Sequence, residues 1–217
     1  MAILVEYNKN WSKLYKEQVK QIKKTLGKAC VATYHIGSTA IADVPSKPVI
    51  DILVLLKDVN ATAKLAEIGY TACGESTYLL QAEGIAYQAF CVDYSDRDKM
   101  DTYYGIFAAH RASKKDKQAW IEKKQAWATK FADDPQGYED AKQAYFTEIA
   151  PAAREKNRRD QKTGTSAAIG MCLGCGVGMC FGVALDNIAI GMCIGLSVGM
   201  CLGLALGWAN DKTDKKQ

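Results

Sequence analysis

The sequence predicts an α+β domain, a small mixed sheet with flanking helices, followed by a C-terminal two-helix glycine-rich hairpin. Three observations predict it. Apolar residues at three- and four-residue steps open the chain, continuous and alternating apolar runs follow through residue 94, and helical spacing then returns. Beyond residue 166 the composition changes to glycine and large apolar side chains, with Asp186 the one charged residue between 166 and 209. A chain of 217 residues holds one domain of about 150 residues plus such an appendage.

Trp11, Leu14, Tyr15, Val19, Ile22 and Leu26 recur at helical steps, so the first element is an amphipathic helix with Asn10 as N-cap and Gly27 as its stop. Residues 30–35 read as a strand that delivers His35 to the turn Gly37-Ser38-Thr39. Residues 39–43 are a candidate short helix. Lys47-Pro48 keeps the approach extended, and residues 49–56 form an apolar strand interrupted only by Asp51. Asn60 is expected to cap a helix ended by Gly69. Residues 76–81 and 85–94 alternate around a turn at Glu83-Gly84, a β-hairpin signal. Three helices follow, one to about residue 112, one over 115–131 and one over 135–157, the last kinked or shortened by Pro151.

The tail is organised by glycine. Gly170, Gly174, Gly178 and Gly182 recur every four residues, as do Gly191, Gly195, Gly199, Gly203 and Gly207. Gly-Met-Cys begins at 170, 178, 191 and 199, which marks an internal duplication. Each glycine costs a helix about 1 kcal/mol in water, but in lipid the same row opens a groove for close helix contact. Segments 167–185 and 188–209 are each long enough to cross about 30 Å of hydrocarbon, with Asp186-Asn187 as the turn between them. The expected domain limits are 1–157 for the first domain, 158–166 for a basic linker, 167–209 for a transmembrane hairpin and 210–217 for a polar tail. Arg154, Lys156, Arg158, Arg159 and Lys162 before the hairpin, and Lys212, Lys215 and Lys216 after it, predict that both termini and the first domain are cytoplasmic. The glycine rows also suit a homo-oligomer. A soluble glycine-rich hairpin is the alternative.

Composition excludes some classes. MAILVEYNKNW has no signal-peptide layout. Eight cysteines lack a metal-binding pattern, since Cys172 and Cys175 form the only C-x2-C and no second pair accompanies them. Net charge is +4, with Lys and Arg clustered over 13–28, 114–130 and 154–162. Such stretches are compatible with nucleotide or RNA ligands, but solvated helix faces are the simpler account of them.

The chemistry concentrates in HIGSTAIADVPSKPVIDILVLL, residues 35–56. Small, hydroxyl-bearing Gly37-Ser38-Thr39 lets backbone N–H groups approach a phosphate. Asp51 is a charge inside a buried run, which is costly without a partner or a metal. A phosphate-accepting turn followed by a strand-borne carboxylate outlines a metal-assisted nucleotide site.

This segment resembles the signature of the GrpB family, HIGST followed by KPxID. His35, Gly37, Ser38, Thr39, Lys47, Pro48 and Asp51 match it, and the resemblance runs from residue 3 to 157 through YEDAKQAYF, where the family carries a Y-x3-K helix. The family is assigned to the nucleotidyltransferase superfamily. The resemblance therefore implies a nucleotidyltransferase-like fold and metal-dependent transfer from a nucleoside triphosphate to an unknown acceptor, with Mg2+ as cofactor. It implies Asp51 as catalytic residue and metal ligand, and His35, Gly37, Ser38, Thr39 and Lys47 as nucleotide-binding. Enzymes of this fold place two carboxylates on alternate strand residues, and the partner position here is Leu53. Asp93 on the neighbouring strand is expected to supply the second metal ligand, a strand-end turn residue being the alternative. Gln88-Ala89-Phe90 stands where relatives often carry H-x-H, and Ala42-Asp43 where they carry Pro-Gly. A non-catalytic module that binds a nucleotide or a partner at the membrane is the competing reading. His110 and Arg111 are candidates for a helix closing over the cleft, or for a surface role, and Trp120, Trp127 and Phe131 for core.

Overall fold

The structure is a computed structural model that describes residues 4–82 and 84–214, with side chains described through Gly207. Two compact units divide the chain, Met1–Arg154 and Glu155–Gln217.

The first unit is built on a five-stranded sheet in the order β1-β2-β5-β4-β3. Its strands are β1 (Cys30–Ile36), β2 (Val49–Leu56), β3 (Thr71–Ala72), β4 (Thr77–Ala82) and β5 (Ile85–Asp93). β2 pairs antiparallel with β1 and parallel with β5, so the sheet is mixed. The expected hairpin is β4–β5; Gly84 sits at φ +78°, while Glu83 lies outside the described residues.

β2 is covered on both faces, and strand alternation decides what each face receives. Ile50, Ile52, Val54 and Leu56 pack under helix α1 (Trp11–Leu26) with Trp11, Val19, Ile22 and Leu26. Leu53 and Leu55 face a second core with Met100 and Phe107 of α2 (Arg97–Arg111) and Trp120 of α3 (Lys114–Lys130). Asp51 begins that second row. Leu53, where a second carboxylate would stand, is fully buried in this core.

Several helix limits differ from expectation. Asn10 makes no side-chain cap; the Asn8 carboxamide accepts the Asn10 N–H instead. Residues 38–40 form a single 3₁₀ turn, shorter than the expected helix. The helix after β2 is a 3₁₀ element, Val59–Ile68, capped by Asp58, whose carboxylate accepts the Asn60 N–H, and closed by left-handed Gly69. Asp96 and Ser113 cap α2 and α3 through the Lys99 and Asp116 N–H groups.

The largest difference is α4 (Pro135–Ala184), which continues through Pro151 and through the expected linker at 158–166. Pro151 and Thr147 are both exposed, so the Thr147 carbonyl that lost its donor lies on the solvent side of the helix. Within the first unit, Gly105 admits the close approach of α2 to the α4 backbone, since a Cβ there would meet the Ala153 carbonyl.

In the second unit the end of α4 and α5 (Ile188–Asp214) form an antiparallel pair. Asp186 takes a positive φ, Asn187 N–H donates to the Gly182 carbonyl, and the Asn187 side chain accepts the Ile190 N–H. Gly170, Gly174 and Gly178 lie against the backbones of Gly199, Gly195 and Gly191. Outside that seam large apolar side chains face outward, Leu173 and Phe181 among them. Lys215 and Lys216 lie outside the described residues.

Candidate functional site

Gly37 and Asp51 meet directly. The register sets Ile36 opposite Asp51, which turns the Asp51 carboxylate onto the Cα of the next residue. A Cβ at Gly37 would overlap that carboxylate, and φ of +71° is itself a left-handed conformation. Only glycine meets both requirements. The contact leaves no room between them.

The turn is anchored by its own hydroxyls. Thr39 Oγ1 donates to the Val49 carbonyl at 3.0 Å and therefore accepts from His35 Nε2 at 3.1 Å. That places a proton on His35 Nε2. Burial holds its pKa down to about 4, and the ring stacks on Tyr15 at 4.6 Å. His35 and the Thr39 side chain are thus spent on locking the turn to β2. Ser38 stays partly exposed, its Oγ accepting the Trp120 indole N–H at 3.2 Å.

One face of α3 grips the loop from turn to strand. Lys117 donates to the Ala42 carbonyl and pairs with Asp43 at 3.3 Å. Trp120 holds Ser38, and Lys124 donates to the Pro45 carbonyl and to Ser46 Oγ. These residues are three and four apart, so they share a helix face. Lys124 is buried, and desolvation with the nearby Lys142 charge pulls its pKa down to about 7 against the pull of Asp51 and Glu139.

The start of α4 completes the cluster. Lys47 Nζ lies 2.6 Å from Glu139 Oε1 and 4.7 Å from the Tyr138 ring centroid. Lys142 Nζ lies 3.6 Å from Glu139 Oε2. Burial raises the Glu139 pKa, but Lys142 and Lys47 outweigh it and hold the carboxyl below its ordinary value. Asp51 goes the other way. Desolvation pushes it up to about 6; Lys142 and Lys124 offset part of this, while Glu139 adds to it.

Asp93 does not join the site. It pairs with Leu56, whereas Asp51 pairs with Gln88, so five residues of strand, about 16 Å, separate the two levels. Tyr87, Ala89 and Cys91 place the odd positions of β5 on the α1 face, opposite to the Asp51 face. Asp93 instead accepts from the Ser95 N–H and hydroxyl. The position that faces Asp51 across the strands belongs to Gln88.

The donors do not fit a two-carboxylate magnesium centre. Mg2+ takes an octahedron of oxygens, usually one or two carboxylates with phosphate and water. Asp51 is a lone carboxylate whose burial favours the protonated form, Asp93 is remote, and Glu139 is neutralised by two lysines. Among the described residues no three His, Cys, Asp or Glu side chains converge as a metal site. Positive charge is already present, carried by Lys47 and Lys142 at Glu139.

Sequence reasoning missed Lys124, Trp120, Glu139 and Lys142 as site residues. Glu139 and Lys142 lie in the Y-x3-K segment, which carried a signal; nothing local marks Lys124. His110, expected on a helix closing over the cleft or at the surface, is instead buried against Trp120 at 4.1 Å between ring centroids. A groove of about 540 Å³ opens beside Lys47, lined by Pro48, Val49, Gln81 and Ile85.

Residues 2–151 match the model of the family described as GrpB protein, and residues 157–209 that of the glycine zipper membrane proteins. The chain is 32% identical over 77 residues to UPF0157 protein YqkA of Bacillus subtilis, covering 34% of this chain and 22% of that protein. It is 36% identical over 74 residues to glutamate-rich protein GrpB of Alkalihalophilus pseudofirmus, covering 32% and 42%. The chain thus spans less than half the length of these curated relatives. Conserved protein GrpB from Enterococcus faecalis has a similar fold in its crystal structure, with a TM-score of 0.62 and 21% identity over 71% of this chain and 98% of that one.

Proposed function

This chain belongs to the GrpB family, and from that premise we propose that its first unit binds a phosphate-bearing ligand of the nucleotide class beside a membrane. The observation that carries the reading is a cluster of lysines beside the turn: Lys142 and Lys124 act on the Asp51 carboxylate, and Lys47 and Lys142 both pair with Glu139. In this reading Lys47 and Lys142 neutralise phosphate, Ser38 donates from the rim of the turn, and Asp51 sets the local charge balance. Lysine does the work that a metal does in a two-carboxylate site. The glycine-zipper hairpin holds the unit at the bilayer with both termini cytoplasmic and Asp186 at the far interface, in keeping with the apolar outer surface of α4 and α5. Membrane fractionation tests that anchor: the intact protein stays with the membranes through an alkaline wash, and release by the wash removes it.

Calorimetric titration of the detergent-solubilised chain with ADP and ATP, with and without Mg2+, tests the ligand reading. Binding is expected without metal, weakened about tenfold by Lys47→Met. Affinity that appears only with Mg2+ and vanishes in Asp51→Ala, followed by pyrophosphate release, would restore nucleotidyl transfer as the function.

A further inference from the structure

We propose that the space filled by the Glu139 carboxylate is an anion subsite, and that Glu139 occupies it as a built-in stand-in for a phosphate group of the ligand. This rests on the ligand reading above and names the seat of the phosphate within it.

Two lysines from different parts of the chain converge on this one carboxylate, each on its own oxygen. Lys47 arrives from the entry to β2 and meets Oε1 at 2.6 Å, and Lys142, one turn along α4, meets Oε2 at 3.6 Å. The Tyr138 ring closes the cationic side beneath Lys47. Two ammonium groups holding separate oxygens of one anion is an arrangement open to a phosphate monoester, which the carboxylate imitates with two oxygens and a smaller negative charge. Lys142 and Glu139 both act on the Asp51 carboxylate, so the subsite lies within electrostatic reach of the Gly37–Asp51 contact.

The stand-in is free to leave. The Glu139 side chain is 44% exposed and that of Lys47 28%, so the carboxylate swings into water without opening the core. Release of Glu139 and entry of phosphate are then one exchange: two charge-assisted contacts to carboxylate are replaced by two to phosphate, and the helix face 138–142 changes its connection to the loop at Lys47. A resident competitor lowers apparent affinity by the same factor for every ligand that must displace it. Removing its charge therefore tightens binding.

Calorimetry on the full chain in detergent micelles at constant ionic strength, with inorganic phosphate and AMP as probes, tests this. Glu139→Gln is expected to tighten binding about tenfold, Glu139→Ala in the same direction, and Asp140→Asn, one residue away and exposed, by less than about twofold. Lys142→Met is expected to weaken it about tenfold. Tightening for phosphate alone supports a free anion in the subsite, and tightening for AMP as well supports a nucleotide's phosphate. Unchanged or weaker binding in both Glu139 variants, or equal tightening by Asp140→Asn, overturns the subsite while the ligand reading stands. If the parent and both Glu139 variants bind neither probe, the subsite falls, and the ligand reading falls with it only where ADP and ATP also fail to bind.

Discussion

The carboxylate of Asp51 rests on the Cα of Gly37, across the strand pairing that sets Ile36 opposite Asp51. The contact couples a backbone conformation to a titratable group. Gly37 is required because its φ is positive and because Asp51 occupies the place of a Cβ.

Gly37→Ala is expected to destabilise the protein by about 2–4 kcal/mol, adding left-handed strain to the overlap with Asp51. Pairing it with Asp51→Gly should return roughly half of that loss, since the overlap is removed and the strain remains. Thermal melts of the four proteins of this cycle supply the check. Strict additivity would mean that the two residues do not touch.

Asp51 gives a pH dependence of defined sign. Its pKa is about 6 in the fold and about 3.9 in an unfolded chain. Between those values the native state binds more protons, so stability is withdrawn as pH rises from about 4 to 6 and stays withdrawn above. Two pKa units correspond to about 2–3 kcal/mol. Asp51→Asn is therefore expected to be more stable than the parent by about that amount at pH 8, and nearly equal to it at pH 3.5. Denaturant melts of both proteins across this range read the difference. A constant difference refutes the assignment.

Lys124 works in the opposite direction. Its folded pKa of about 7 lies below the unfolded value, so the charged form costs stability below pH 7 and that cost is returned as pH rises toward about 10. In a pH series the parent should gain steadily on Lys124→Met between pH 7 and 10. Parallel curves would place the Lys124 amine in water.

Within the hairpin, glycines of the same helix are not equivalent. Gly174 lies against the Gly195 backbone, whereas a Cβ at Gly176 meets nothing within 4 Å. Gly174→Ile is expected to part the helices and to speed amide hydrogen exchange in α5 at least about tenfold in detergent. Gly176→Ile should leave exchange within about twofold. Equal responses would mean that the glycine seam is not the contact.

The seam also bears on oligomers. The glycine rows that suggested self-association are consumed inside one hairpin, because two helices joined by a two-residue turn find each other before they find another chain. Association through those same rows requires the hairpin to open.

Much of the fold was legible. The step of Trp11, Val19, Ile22 and Leu26 marked α1, the apolar run around Asp51 marked the central strand, and the β4–β5 hairpin announced itself by alternation. Helix ends were less legible, because Asp58 and Asn60, or Asn8 and Asn10, are chemically equal caps and only the path of the chain chooses between them. The turn and Asp51 were visible as a pair because the turn follows β1 directly and Asp51 lies near the start of β2, the next strand in the chain.

What the sequence alone determined was local: where apolar residues repeat, where glycine interrupts, and which charge is stranded in a buried run. Those properties depend on neighbours a few residues away, and they mark the elements, Gly37 and Asp51 as candidates, and the glycine rows. Tertiary structure decided which distant groups share the site. Lys124 and Glu139 come to Asp51 from helices more than seventy residues downstream, and Asp93 is lost to it because strand register puts that side chain on the other face of the sheet. Register and helix packing are collective outcomes of burying the whole core, and no single stretch of residues encodes them.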